Sequence, residues 1–92
     1  MKSQDIKSLV VTPEDDEDQV MSKILSALRR TGQMNVGNLI EEMHLFENEH
    51  AEMILGALLE REMIEEGKAG GTLRITDYGY KMADVFQKKM KS

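Results

Sequence analysis

The chain has 92 residues, a formal net charge of −5 and no cysteine. Its length suits one small domain, and the lack of cysteine excludes disulfides, thiolate nucleophiles and cysteine-based metal sites. No apolar signal segment is visible, and no apolar run approaches the ~20 residues that span a bilayer. We therefore expect a cytoplasmic protein without a membrane anchor.

The charge is distributed unevenly along the chain. Residues 14–18 are all acidic, and residues 34–66 hold nine carboxylates against Arg61 alone. Residues 67–92 instead hold six basic side chains against Asp77 and Asp84. The sequence therefore predicts an acidic middle flanked by basic segments.

Residues 1–13 read as an N-terminal arm ahead of a domain that spans residues 14–92. In the arm, apolar residues could form a short strand that Pro13 stops, and the open alternative is a flexible terminus. We also consider the arm as a contributor to a dimer contact. The residues that favour a strand are Ile6, Leu9, Val10 and Val11.

The first helix is predicted to start at Pro13 or Glu14 and to run to Arg30, where Thr31-Gly32 ends it. We interpret the acidic run at its start as helix capping that also aids solubility, and the alternative is a protein-binding tail. One apolar stripe at helical spacing predicts the buried face. It consists of Val20, Met21, Ile24, Leu25 and Leu28.

Two further helices follow. The second is predicted over residues 34–43 with Asn35 as its N-cap, and the third runs from about Asn48 to Glu62 after a turn at residues 44–47. Apolar residues at the i, i+3, i+4, i+7 spacing predict the buried face of the third helix. They are Ala51, Ile54, Leu55, Leu58 and Leu59.

At Met63 the spacing of the apolar residues changes from the 3.6-residue period of a helix to the two-residue period of a strand. Two alternating segments flank Gly70-Gly71, which supplies the positive φ of a tight hairpin turn. Thr76 then fits the N-cap of a last helix, with Asp77 in its first turn. The sequence therefore predicts a mainly α fold with a small β-hairpin, arranged as a winged helix-turn-helix.

The segments that lead into and out of the hairpin resemble those of winged helix-turn-helix regulators of the MarR and PadR type. The resemblance rests on residues 58–65, which read LLEREMIE, and on residues 73–79, which read LRITDYG. It covers roughly residues 18–90. It implies that the third helix enters the DNA major groove, that the hairpin contacts phosphate, and that terminal helices form a homodimer.

The last helix carries the apolar residues that bear on this dimer. We assign Tyr78 and Met82 to the core against the first helix. Val85, Phe86 and Met90 are predicted to contact a second copy, and the alternative for them is also core packing, since a domain this small can leave part of a helix uncovered.

The third helix departs from the DNA-binding pattern, because its expected groove side is acidic and offers no lysine or arginine to phosphate or guanine. That side would present Asn48, Glu49, His50, Glu52, Met53, Gly56, Ala57 and Glu60. Basic side chains lie elsewhere, near the end of the first helix, on the hairpin and on the last helix. The candidate DNA contacts are Arg29, Arg30, Asn48, His50, Lys68 and Arg74.

Two functions remain open. We favour a dimeric transcription regulator that binds double-stranded DNA through its basic hairpin and flanks. The alternative is a winged-helix interaction module whose acidic third helix binds a basic protein partner.

Other site types are not expected. His44 and His50 lie six residues apart across a turn, without metal-binding spacing, so we predict no metal site. No nucleophile has an adjacent base, and residues 67–71 lack the phosphate-loop pattern. We therefore predict neither enzymatic activity nor a cofactor.

Overall fold

The computed structural model describes residues 9–91, with side chains through Lys88. It contains four helices and a three-stranded antiparallel sheet of order β1-β3-β2. The prediction of a mainly α protein with a small β component is confirmed. The elements are α1 (Glu17–Thr31), β1 (Gln33–Asn35), α2 (Val36–Met43), a 3-10 turn (Leu45–Glu47), α3 (Ala51–Glu60), β2 (Ile64–Glu66), β3 (Thr72–Ile75) and α4 (Asp77–Lys91).

Helix α1 starts later than predicted because Asp16 caps it. The Asp16 carboxylate accepts from the Gln19 N–H at 2.9 Å, and the Gln19 side chain accepts from the Asp16 N–H at 2.8 Å, which forms a capping box. The predicted start at residue 13 or 14 is therefore wrong, while capping by the acidic run is confirmed at Asp16. Gly32 ends the helix with a φ of 86°, as expected for a glycine C-cap.

Strand β1 was not predicted. It occupies residues that we assigned to the start of the second helix, and it pairs with β3 so that Met34 lies opposite Leu73. A three-residue strand is too short to show a two-residue period in sequence. The predicted Asn35 cap is confirmed, because its side-chain oxygen accepts from the N–H groups of Gly37 at 2.8 Å and Asn38 at 3.2 Å.

Helix α3 is shorter than predicted at both ends. The 3-10 turn precedes it, and it ends at Glu60, just before Glu62 adopts a left-handed φ of 63°. Ala51, Ile54 and Leu58 are buried as predicted. Leu59 is 39% exposed, so its assignment to the buried face is wrong.

The predicted hairpin is present: it connects β2 and β3, and its register places Glu65 opposite Arg74. Of the two glycines in its turn, Gly71 alone takes a positive φ, at 83°. The predicted Thr76 cap is confirmed. Its hydroxyl oxygen accepts from the Gly79 N–H at 3.0 Å, and the hydroxyl donates to the Glu62 carbonyl at 2.6 Å. Thr76 therefore ties the start of α4 to the end of α3.

The core gathers the inner faces of all four helices and of the sheet. Val11 from the N-terminal arm is fully buried in it, and its N–H donates to the Met43 carbonyl at 2.8 Å. Of the two alternatives for the arm, the strand is not formed at residues 9–11, and Ile6 lies outside the described residues. Between residues 9 and 91, no helix combines the length and apolarity needed to cross a membrane.

Candidate interaction surface

The outer face of α3 is the first candidate surface, and we call it the acidic face. Burial of Ala51, Ile54 and Leu58 turns the opposite side of the helix to solvent. The exposed side carries carboxylates around one methionine and one glycine, and residues 48–60 include no lysine or arginine. The acidic face consists of Glu52, Met53, Gly56 and Glu60 of α3 and of Glu49 in the turn before it, all exposed.

The hairpin combines cations with carboxylates. Arg74 Nε lies 2.7 Å from Oε2 of Glu65 on the neighbouring strand, and both side chains are about half exposed. Glu66 and Lys68 are exposed in the segment leading into the turn. The hairpin therefore does not present the uniformly basic edge that phosphate contact favours.

The basic end of α1 lies against α4. Arg29 Nη1 lies 2.6 Å from Oδ1 of Asp84, and its guanidinium carbon lies 5.7 Å from the centre of the Tyr80 ring. Arg30 is exposed one residue later. The predicted DNA contact Arg29 therefore lies on the α1–α4 side of the molecule.

Asn48 has a structural position that we did not predict. It is only 4% exposed, and its amide nitrogen donates to the carbonyls of Thr12 at 2.8 Å and Asp15 at 3.1 Å. Its side-chain oxygen accepts from the His50 N–H at 2.8 Å. Because both ends of the amide are occupied inside the chain, Asn48 is not available to a DNA base, and the prediction of this contact is corrected.

Lys23 completes this attachment of the N-terminal segment. Its ammonium lies 2.7 Å from the Asp15 carboxylate and 3.0 Å from the Val10 carbonyl. Burial alone would raise the pKa of Asp15, but hydrogen bonds from Lys23 and from the Thr12 N–H, together with the ammonium charge, lower it overall. We call residues 10–15, held by Lys23 and Asn48, the N-terminal clasp.

The histidines have local partners. His50 Nε2 lies 3.7 Å from Glu49, and His44 Nδ1 lies 3.6 Å from Glu47. In the part of the chain that the structure describes, no three histidine, aspartate or glutamate side chains gather as potential metal ligands. His50 stands at the start of α3, beside the acidic face.

A cleft at the end of α3 was missed by the sequence analysis. It is open to solvent, has a volume of about 800 Å³, and lies between α3, β2 and the start of α4. Four carboxylates and three apolar side chains line it together with one arginine and one threonine. The lining residues of this acidic cleft are Leu59, Arg61, Glu62, Ile64, Glu65, Glu66, Thr76, Asp77 and Tyr78.

A smaller apolar pocket of about 200 Å³ lies at the other end of α3. It is lined by Ile40, Leu45, Phe46, Glu52 and Leu55. Phe46 is 68% exposed and stacks on His44, with ring centres 5.8 Å apart. An aromatic ring this exposed next to an apolar pocket suits protein contact.

The apolar side of α4 differs from the prediction. Phe86 is 8% exposed and belongs to the core with Ala83, whereas Tyr78, assigned to the core, is 48% exposed. Val85 is 47% exposed and Met82 is partly buried against the core. The side chain of Met90 lies outside the described residues.

Comparisons of the chain with family models, with curated proteins and with solved structures found no match.

Proposed function

We propose that the chain is a winged-helix domain. The proposal is supported by the order of elements, in which one short strand follows the first helix and a hairpin separates the third and fourth helices. It is also supported by the sheet, because β1 pairs with the second hairpin strand and so joins the first half of the chain to the second. In this interpretation the hairpin is the wing.

We further propose that this domain is a binding module, not an enzyme, and that its acidic face binds a basic surface of a protein partner. The observation that carries the proposal is the exposure of Glu52 and Glu60 on one side of α3 and of Glu49 in the turn before it, without any lysine or arginine on that helix. Met53 and the edge of the Phe46 pocket add apolar contact area. Methionine is enriched in protein interfaces, and charges of one sign favour a partner surface of the opposite sign.

The same charges weaken binding to DNA. Affinity for a duplex depends on how many phosphates a protein neutralises, and the acidic face neutralises none. An exposed pair such as Arg74–Glu65 is worth only ~0–1 kcal/mol, so Arg74 can exchange its partner for a phosphate at little cost. Glu65 would then remain beside that phosphate, and its repulsion would cancel part of the gain.

The second candidate is a DNA-binding transcription regulator, and the wing favours it. Lys68 is exposed near the tip of the hairpin and Arg74 is half exposed on β3. In this alternative the wing, Arg29 and Arg30 supply the phosphate contacts, and α3 contributes little.

A triple variant tests the protein-binding proposal. Changing Glu49, Glu52 and Glu60 to glutamine keeps the length of the side chains and removes three charges. We expect association with the cognate protein, captured from the source cells by the wild-type chain, to slow by about tenfold at low salt. Binding kinetics of the purified pair provide the measurement.

The matched control changes to glutamine three exposed carboxylates that lie on other elements, on α1, α2 and β2: Glu17, Glu41 and Glu66. This variant has the same net charge as the test variant, so a general charge effect would slow both equally. Equal association rates for the two variants would contradict the proposal.

A further inference from the structure

We infer that an apolar flank of α3 receives an amphipathic helix of the protein partner, whose apolar side chains enter this flank while its lysines or arginines meet the acidic face. The inference rests on the proposed function, because it names the kind of segment that the acidic face attracts. The flank, which we call the α3 groove, consists of Glu52, Leu55, Gly56 and Leu59.

Helix α3 is apolar on more sides than the core covers. Its ten residues read AEMILGALLE, so only Glu52 and Glu60 are polar. Of the others, the core buries Ala51, Ile54 and Leu58. Met53 is 57% exposed, Leu59 is 39% exposed and Leu55 is partly buried. A helix that is apolar on most sides is suited to neighbours on most sides, and α3 therefore suits a second neighbour beyond the core.

The α3 groove has the shape that receives a side chain from another helix. Its four residues follow the i, i+3, i+4, i+7 spacing, so they surround one depression on the helix surface. At Gly56 the depression has no side chain, and a Cβ there would meet no atom within 4 Å. Glycine weakens the interior of a helix, but here it lets the backbone of a second helix approach α3 closely.

The apolar pocket adjoins the groove and can hold one anchor of the partner. Leu55 and Glu52 line this pocket together with Phe46, and its volume is about 200 Å³. A cavity of ~150 Å³ can hold benzene, so the pocket can take one leucine, methionine or phenylalanine side chain. Leu59 lies four residues after Leu55, about 6 Å along the axis, and two anchors four residues apart on a partner helix match this distance.

The charges beside the groove determine the sign of the partner. The acidic face borders the groove, because Glu52 and Gly56 belong to both and Glu60 directly follows Leu59. Lysines or arginines beside the apolar anchors would be attracted to these carboxylates, whereas an acidic helix would be repelled. The groove is therefore assigned to a basic amphipathic helix.

Synthetic helices test the inference on the full chain. Each probe has about 15 residues, is rich in alanine and lysine, and carries leucine, methionine or phenylalanine at two positions four apart. One companion peptide replaces the two anchors with alanine, and another replaces the lysines with glutamine. Fluorescence anisotropy at low salt measures the affinities. We expect at least one anchored basic helix to bind about tenfold or more tightly than either companion.

Gly56→Gln locates the binding site. Glutamine favours helices over glycine, so the variant stays folded, while its side chain fills the groove without changing the net charge. We expect its affinity for the anchored basic helix to fall by about tenfold or more. The control Val85→Gln places the same side chain at an exposed position of α4 that lines neither the pocket nor the cleft, and it should bind like the wild type.

Three results would overturn the inference: no binding of any anchored helix, equal affinity for an anchored helix and its alanine companion, or wild-type affinity in Gly56→Gln. The proposed function has a separate criterion, the loss of affinity when Glu49, Glu52 and Glu60 become glutamine. If basic helices lose affinity for that variant whether or not they carry anchors, the acidic face binds without the groove. If anchored helices bind equally with lysine and with glutamine, the acidic-face proposal fails and the basic character of the partner fails with it.

Discussion

Replacing Gly79 with alanine should lower the free energy of unfolding by more than about 3 kcal/mol, although alanine favours helices over glycine by ~1 kcal/mol. A Cβ at this position would overlap the Met63 carbonyl oxygen and lie 2.7 Å from Cγ1 of Ile75. The carbonyl belongs to the backbone just before β2 and cannot rotate away. Helix α4 would have to move off the sheet, which would expose the core around Phe86.

Gly56 provides the control for this prediction. It lies in α3, and a Cβ there would have no atom within 4 Å. Gly56→Ala should therefore raise the free energy of unfolding by up to ~1 kcal/mol through helix propensity alone. Urea denaturation of both variants is the measurement, and equal stabilities would show that Gly79 does not hold α4 against Met63.

Replacing Asn48 with alanine should lower the free energy of unfolding by about 1–3 kcal/mol, because it removes three partly buried hydrogen bonds and leaves two polar groups without these partners. The Asp15 carbonyl would lose its Asn48 donor, the His50 N–H would lose its acceptor, and the Thr12 carbonyl would keep only the Asp15 N–H at 3.2 Å. The N-terminal clasp would then depend on Lys23, and Val11 would become easier to release from the core.

Asn38→Ala is the matched control, since Asn38 is exposed on α2. It should change stability by less than ~0.5 kcal/mol. Thermal denaturation and amide exchange at Val11 measure the effect of each variant. If Asn48→Ala keeps wild-type stability and exchange, the clasp does not depend on this amide.

Local patterns in the sequence were sufficient to predict much of the fold. The periodicity of α3 identified Ala51, Ile54 and Leu58, because one helix face determines their burial. Asn35 and Thr76 were recognised as caps, since their hydrogen bonds involve residues only two or three positions away.

Features set by distant parts of the chain were not predictable in this way. Asn48 is buried because residues 12–15 fold back over it from 33 to 36 positions away. Tyr78 was expected in the core and is exposed, whereas Phe86 was expected to contact a second copy and is buried. The reason is that the position of α1 decides which flank of the apolar stripe on α4 is covered. Strand β1 exists only through its pairing with β3, about forty residues later in the chain.

The candidate site was predicted in part. The acidic character of α3 follows from its sequence, since the carboxylates lie at the solvent positions of a helix with a known buried face. The pairing of Arg74 with Glu65 depends on the hairpin register, and the cleft depends on where α4 begins beside α3. Sequence could identify the charges but not their neighbours.

The most direct test of whether the acidic face binds protein and not DNA is to measure whether the chain retains random duplex DNA. We expect the wild type to show no retention even at about 50 mM salt, where phosphate contacts are strongest. The glutamine variant of Glu49, Glu52 and Glu60 should gain some affinity, most clearly at low salt where repulsion is least screened. Retention of the wild type at about 50 mM salt that disappears near 200 mM would contradict the account and favour the DNA-binding regulator.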